Sequence, residues 1–211
     1  MFNFFKQKAS LASAETVVDI IDILERGGSV RGSQLPPQIF MPKAEHQVSA
    51  SDHIYFAVRS VAADSRQHVL QYAFVDDRGN VVLSAFVRSS GATALYGGVC
   101  SEDLSVDPME EAAFTGLAMK LCRGATLVAF HRVLQGGLLP QGSLAAASGA
   151  ECAWRRFQAV ARRKGIGLSR REPLALNDCL EKLGMAPLES EDAALRALAI
   201  RRLWRRLDDL E

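Results

Sequence analysis

Between Trp154 and Glu172 the chain carries seven cationic side chains and no acid: Arg155, Arg156, Arg162, Arg163, Lys164, Arg170 and Arg171. On a helix, the 155/162 and 156/163 pairs recur seven positions apart and build one cationic stripe. Trp154, Phe157, Val160 and Ala161 fall on the opposite, apolar face. Fixed guanidinium charges spaced in this way can follow the phosphates of a nucleic-acid strand. The same pattern also describes a solvated helix face whose apolar side rests on a sheet. Net charge is only +1 over 211 residues, so bulk charge gives no reason to invoke nucleic acid, a membrane surface or an acidic substrate. Only the local clustering of arginines favours a polyanion.

Other chemistry-bearing residues are sparse. His131 stands alone beside a strand end, which suits a hydrogen-bonded structural residue as well as a ligand contact. No Ser or Cys near it in sequence sits in a nucleophile motif. Cys100, Cys122, Cys152 and Cys179 form no CxxC pair and have no histidine at zinc-ligand spacing, so reduced, mostly buried thiols are expected. Gly97-Gly98 and Gly136-Gly137 lack the spacing of phosphate loops and read as turns. No apolar run approaches the roughly 18–20 residues that span a bilayer, and no signal-peptide core follows the greasy start. The expectation is a cytoplasmic protein without a membrane partner. Composition, 48% hydrophobic and 23% charged, is that of a globular chain.

The elements that must position these residues are legible from periodicity. Residues 1–50 form a separate N-terminal region. Its Val17, Val18, Ile20, Ile21, Ile23 and Leu24 make a short amphipathic helix that stops at Gly27-Gly28, and a Pro- and Gly-containing linker follows. This helix is expected to dock in cis or, through residues 14–27, on a protein partner. From 51 to 211 the pattern is that of one domain. Ile54–Val58, His68–Val75 and Val81–Val87 read as three consecutive antiparallel strands, with a tight hairpin at Asp76–Asn80. Asp107, Pro108 and Glu110 predict a helix start with a capping box, and that helix runs to Cys122. Ala125–Phe130 reads as a buried strand of a parallel sheet. A Gly/Ala/Ser-rich passage at Gln141–Ala150 is expected to be remodelled or mobile. Helices follow over about 151–164, 173–183 and 192–207. The last carries Arg201, Arg202, Arg205 and Arg206 beside Ile200, Leu203, Trp204 and Leu207, the pattern of an amphipathic helix packed on the core. Asp208, Asp209 and Glu211 oppose its dipole, which predicts fraying at that end.

The order of landmarks resembles the DEDD (DnaQ-like) 3′–5′ exonuclease family, of the RNase H-like superfamily, over about 150 residues. The stretch from Gln71 to Val82 looks like the family's second and third strands. Tyr96–Leu104 followed by Asp107-Pro108 resembles its passage into a helix, and Leu127-Val-Ala-Phe-His131 falls where the family has LVAHN. Leu174–Gly184 and Asp192–Leu195 look like its two closing helices. The resemblance implies an α/β fold: a mixed sheet of three antiparallel strands, then parallel strands, with helices on both faces. It also implies a site where two Mg²⁺ or Mn²⁺ ions about 4 Å apart are held by four carboxylates.

Every one of those carboxylate positions is replaced. Arg59 and Val61 stand where the first strand has its Asp and Glu, Gln135 at the third acid, and Ala197 at the last. Phe130 and His131 replace the usual His-Asn, and Asp192 falls at the general-base histidine. A one-residue slip restores nothing: Asp64 is the only acid between Ile54 and Val75, and only Glu110 and Glu111 lie between Pro108 and Glu151. The resemblance therefore implies a degenerate member without resident metal, in which Arg59, His131, Arg155, Arg156, Arg162 and Arg163 would contact single-stranded DNA or RNA. Two alternatives stay open. One is an active metal-dependent exonuclease with a rearranged site. The other is a protein–protein module using residues 14–27. Oligomeric state is not legible.

Overall fold

The structure, a computed structural model, describes residues 53–63, 66–88, 108–131, 137–140, 142–168 and 174–211. The expected N-terminal helix and linker, Asp64, Asp107 and Gln135 lie outside these residues, as do Arg170 and Arg171.

Three long strands open the domain: β1 (His53–Ala63), β2 (Arg66–Val75) and β3 (Val81–Arg88). Their β-branched and aromatic residues alternate between two buried faces, which is why each reads as almost continuously apolar. The β2–β3 turn is closed as expected. Asp76 Oδ1 accepts from the backbone N–H of Arg78 at 2.9 Å and of Asn80 at 2.8 Å. Gly79 takes φ +93°, a backbone conformation that favours glycine, and a Cβ there would sit 3.2 Å from the Arg201 guanidinium, which would have to shift slightly.

Next come β4 (Met109–Glu110), α1 (Glu111–Cys122), β5 (Thr126–Ala129), α2 (Ser143–Ala146), β6 (Gly149–Cys152), α3 (Ala153–Lys164), α4 (Leu176–Lys182) and α5 (Ala193–Asp208). The sheet order is β4-β3-β2-β1-β5-β6. β1, β2 and β3 pair antiparallel, whereas β1–β5, β5–β6 and β3–β4 pair parallel.

Two differences from the sequence-based expectation have clear physical origins. Helix α1 begins at Glu111 and not at Pro108, because Met109 and Glu110 are taken up in parallel pairing with Val87 and Arg88. The Ala/Gly/Ser-rich passage is ordered into α2 and a sixth strand, β6, in register with Thr126–Ala129. Gly149, Ala150 and Glu151 have low strand propensity, so neighbouring backbone and not side-chain preference makes that strand.

The sheet separates two cores. On one face α3, α4 and α5 cover Tyr55, Ala57, Ala73, Val75, Val128 and Phe130. On the other, α1 packs over Phe56, Val58, Phe74, Leu83 and Leu127. This is a mixed α/β fold with helices on both faces, as the landmarks implied.

Candidate nucleic-acid interface

Arg59 lies on β1 directly opposite Gln71 on β2, and the register shifts between Arg59 and Ser60. Strand alternation puts Arg59 on the same face as Tyr55 and Ala57, which is the face covered by α5. Gln71 is buried (4% exposed), a polar residue among apolar neighbours, and its bonds explain why it is tolerated. Its Nε2 donates to Asp192 Oδ2 at 2.9 Å and to Ser84 Oγ at 3.3 Å. Its Oε1 accepts the backbone N–H of Ala193 at 3.1 Å.

Asp192 is the N-cap of α5. Its Oδ1 accepts from the backbone N–H groups of Ala194 at 2.8 Å and Leu195 at 3.1 Å. Such caps are worth about 1 kcal/mol and add a carboxylate to the positive end of the helix. One turn further on, Ala197 is fully buried in the same core as Tyr55 and Ala57. The structure therefore brings Arg59, Gln71, Asp192 and Ala197 to one face of the sheet at the start of α5. Val61 lies in β1 with its backbone opposite His68, and Gln135 is outside the described residues.

Among the described residues, the donors at this corner do not fit a hard divalent cation. One carboxylate is spent on capping and on Gln71, one position is a methyl group, and Arg59 brings fixed positive charge. Among the described residues, no group of three or more His, Cys, Asp or Glu is arranged to hold a metal ion.

His131 follows β5 with φ +51°, an uncommon conformation for a residue with a side chain. Its ring meets Phe130 edge-on at 4.6 Å and lies 5.5 Å from Trp154, which in turn stacks on Phe157 at 6.1 Å. His131 thus joins an aromatic row that leads into α3.

On α3, Arg155, Arg162 and Arg163 are exposed, whereas Arg156 is half-buried. Arg156 places its guanidinium 4.2 Å over the ring of Trp204, a cation–π contact. It also donates to Asp208 Oδ1 at 2.6 Å and Glu211 Oε2 at 2.7 Å, and Arg163 donates to Glu211 Oε1 at 3.0 Å. Arg155 and Arg162 have no ion pair among the described residues. At the end of α5, where the acids oppose the helix dipole, Asp208 and Glu211 are paired with arginines of α3.

At the other end of β2, Asp77 forms a second tie. It accepts from Tyr55 Oη at 2.8 Å and from Arg205 at 2.6 Å, while its backbone carbonyl accepts Arg201 Nε at 2.9 Å. Sequence reading missed Gln71 and this network. Gln71 could have been flagged as the polar residue on a face shared with Ala73 and Val75, but nothing local pointed to its partner.

No protein-family model matches the chain, and no curated protein matches it. Among solved structures, it is similar to E. coli exonuclease I in complex with a dA16 oligonucleotide: 12% identity and TM-score 0.54, over 75% of this chain and 41% of that one. It is similar to the Pan2 catalytic unit (protease and nuclease domain) of Neurospora crassa, at 10% identity and TM-score 0.59, over 90% and 32%. The Saccharomyces cerevisiae Pan2 pseudoubiquitin hydrolase–RNA exonuclease module in complex with AAGGA RNA gives 13% and 0.55, over 90% and 33%. The chain spans about a third to two fifths of the length of these solved chains. At such identities the likeness is one of fold, and the fold is that of exonucleases. Among the described residues, no helix is long and apolar enough to cross a membrane.

Proposed function

We propose that this chain is a non-catalytic protein of the exonuclease fold that binds single-stranded DNA or RNA, or a 3′ end, without resident Mg²⁺ or Mn²⁺. The observation that carries the reading is the make-up of the corner where β1 meets the start of α5. Two-metal hydrolysis needs converging carboxylates to hold the ions that clamp the attacking and leaving oxygens. In support of a site without them, that corner carries Arg59, the Gln71 amide bonded to the capping Asp192, and the buried Ala197. A fixed guanidinium disfavours a divalent cation and favours a phosphate. His131, beside Trp154, adds a ring that a base can stack on, and Arg155, Arg156, Arg162 and Arg163 continue the basic surface. Two of the solved structures of this fold hold an oligonucleotide, one of DNA and one of RNA, which supports the same class of ligand.

The test is incubation with end-labelled single-stranded DNA and RNA in the presence of Mg²⁺ or Mn²⁺. We expect full-length oligonucleotide throughout, and binding that is insensitive to chelator and weakens as salt rises. Metal-dependent shortening above a mock purification identifies an active nuclease and overturns the reading. Affinity that stays flat between low and moderate salt removes the phosphate contacts. Replacing Arg155, Arg156, Arg162 and Arg163 by serine weakens binding uniformly across sequences.

A further inference from the structure

The basic stripe of α3 already holds anions. Two of its four arginines are engaged by carboxylates that follow in sequence at and beyond the end of α5: Arg156 by Asp208 and Glu211, and Arg163 by Glu211. Arg156 is also held in place by Trp204, itself 4% exposed, so its guanidinium is fixed with or without a partner. A carboxylate and a phosphate make the same demand on a guanidinium, two acceptor oxygens in the plane of its N–H groups. We propose that Asp208 and Glu211 occupy the phosphate positions of the α3 stripe, so that a nucleic-acid strand binds there by displacing them.

This inference rests on the nucleic-acid reading and adds regulation to it. The Glu211 side chain is 38% exposed and that of Asp208 41%, against 17% for Arg156, so the carboxylate side of these pairs is solvent-screened and the pairs hold weakly. A single phosphate offers Arg156 nothing that the two carboxylates do not already supply. A run of phosphates does, because it also reaches Arg155 and Arg162 and releases counterions from several positions at once. The internal acids therefore select strands over mononucleotides.

The experiment uses the full chain and a fluorescein-labelled oligothymidylate longer than a site of roughly 4–16 nucleotides, read by anisotropy at low and moderate salt. The double variant Asp208→Asn/Glu211→Gln removes the competing carboxylates. Glu181→Gln/Glu189→Gln, at two exposed positions on α4 and after it, makes the same change in net charge elsewhere. The first variant binds roughly three- to tenfold tighter at low salt, and the second stays within about twofold of the parent. Thermal unfolding confirms that both variants are folded. If the parent binds and the two variants gain equally, or neither gains, displacement is overturned and the nucleic-acid reading stands. If no form binds at any salt, the nucleic-acid reading itself falls and takes the proposal with it.

Discussion

Gln71 and Asp192 stand 121 positions apart in sequence and meet at 2.9 Å. The same glutamine accepts the Ala193 N–H, so one buried side chain holds both the cap and the first residue of the last helix. The start of α5 is thereby fixed against the middle of β2, directly across from Arg59 on β1.

Replacing Gln71 by leucine keeps the size and removes every one of those bonds. The Ala193 N–H is left buried without its partner, at a cost of about 1–3 kcal/mol. In urea unfolding the midpoint falls with the slope unchanged. An unchanged midpoint would show that water takes both places.

Ala197→Asp puts a carboxylate into a fully buried site. Burying that charge costs on the order of 3 kcal/mol or more. A lowered unfolding midpoint is expected, with no metal-dependent trimming of oligonucleotides, since a single added acid does not make a two-metal site. Nuclease activity in this single variant would show that the remaining ligands are present.

Tyr55 is fully buried, and burial together with its bond to Asp77 raises its hydroxyl well above the usual range for a phenol. It stays protonated and donating at any working pH. Tyr55→Phe loses a bond to a charged acceptor, worth about 1.5–3 kcal/mol, while Arg205 keeps its own contact with Asp77. Thermal unfolding of the variant measures the loss.

The hydrogen bond from Arg156, reinforced by Arg163, holds the Glu211 carboxyl below the ordinary carboxylate range. A group whose folded pKa is depressed contributes stability above its unfolded pKa, and that stability is lost as pH falls through the folded one. Glu211→Gln is therefore less stable than the parent at neutral pH. The difference shrinks as acid passes below the ordinary glutamate range. Parallel unfolding curves at all pH values would contradict the pairing.

Burial pushes the thiols of Cys122 and Cys179 up to about 12, with the Asp178 carboxylate contributing for Cys179. Almost no thiolate is available at neutral pH, and both side chains are enclosed. Iodoacetamide leaves these two cysteines unmodified in the native protein and alkylates them in denaturant, as peptide mass spectrometry will show. Cys152, half-exposed, is accessible in the native state.

What could be read from the sequence was whatever is local and periodic. The alternation in β1, β2 and β3, the Asp76–Asn80 turn and the apolar stripe of α5 all carry their signal within a few residues. Strand β6 was missed because Gly149–Cys152 forms it by pairing with β5, not by propensity. The start of α1 was misplaced because the capping signals at Asp107–Glu110 lost to an edge pairing with β3. In the candidate site, Arg59 and Ala197 were read from the order of landmarks. The partners of Gln71, Arg156 and Asp77 were not legible, because each bond spans a large sequence separation that no local pattern encodes. The pairing of Asp208 and Glu211 with α3 was not legible either, because the pattern of α5 alone carries no sign of the α3 arginines.

The dependence of the sheet on α5 also has a consequence during synthesis. Residues 53–192 leave the ribosome before the helix that covers Tyr55, Ala57, Ala73 and Val75 exists. Until Ala193–Asp208 emerge, one apolar face of the nascent sheet has only α3 and α4 to cover it, and Gln71 and Asp77 wait without the groups that complete them. The strands can pair early, yet the cover of that face is completed only by α5. A stalled or prematurely released chain would therefore be sticky along that face, and an obvious target for holding chaperones and for proteolysis.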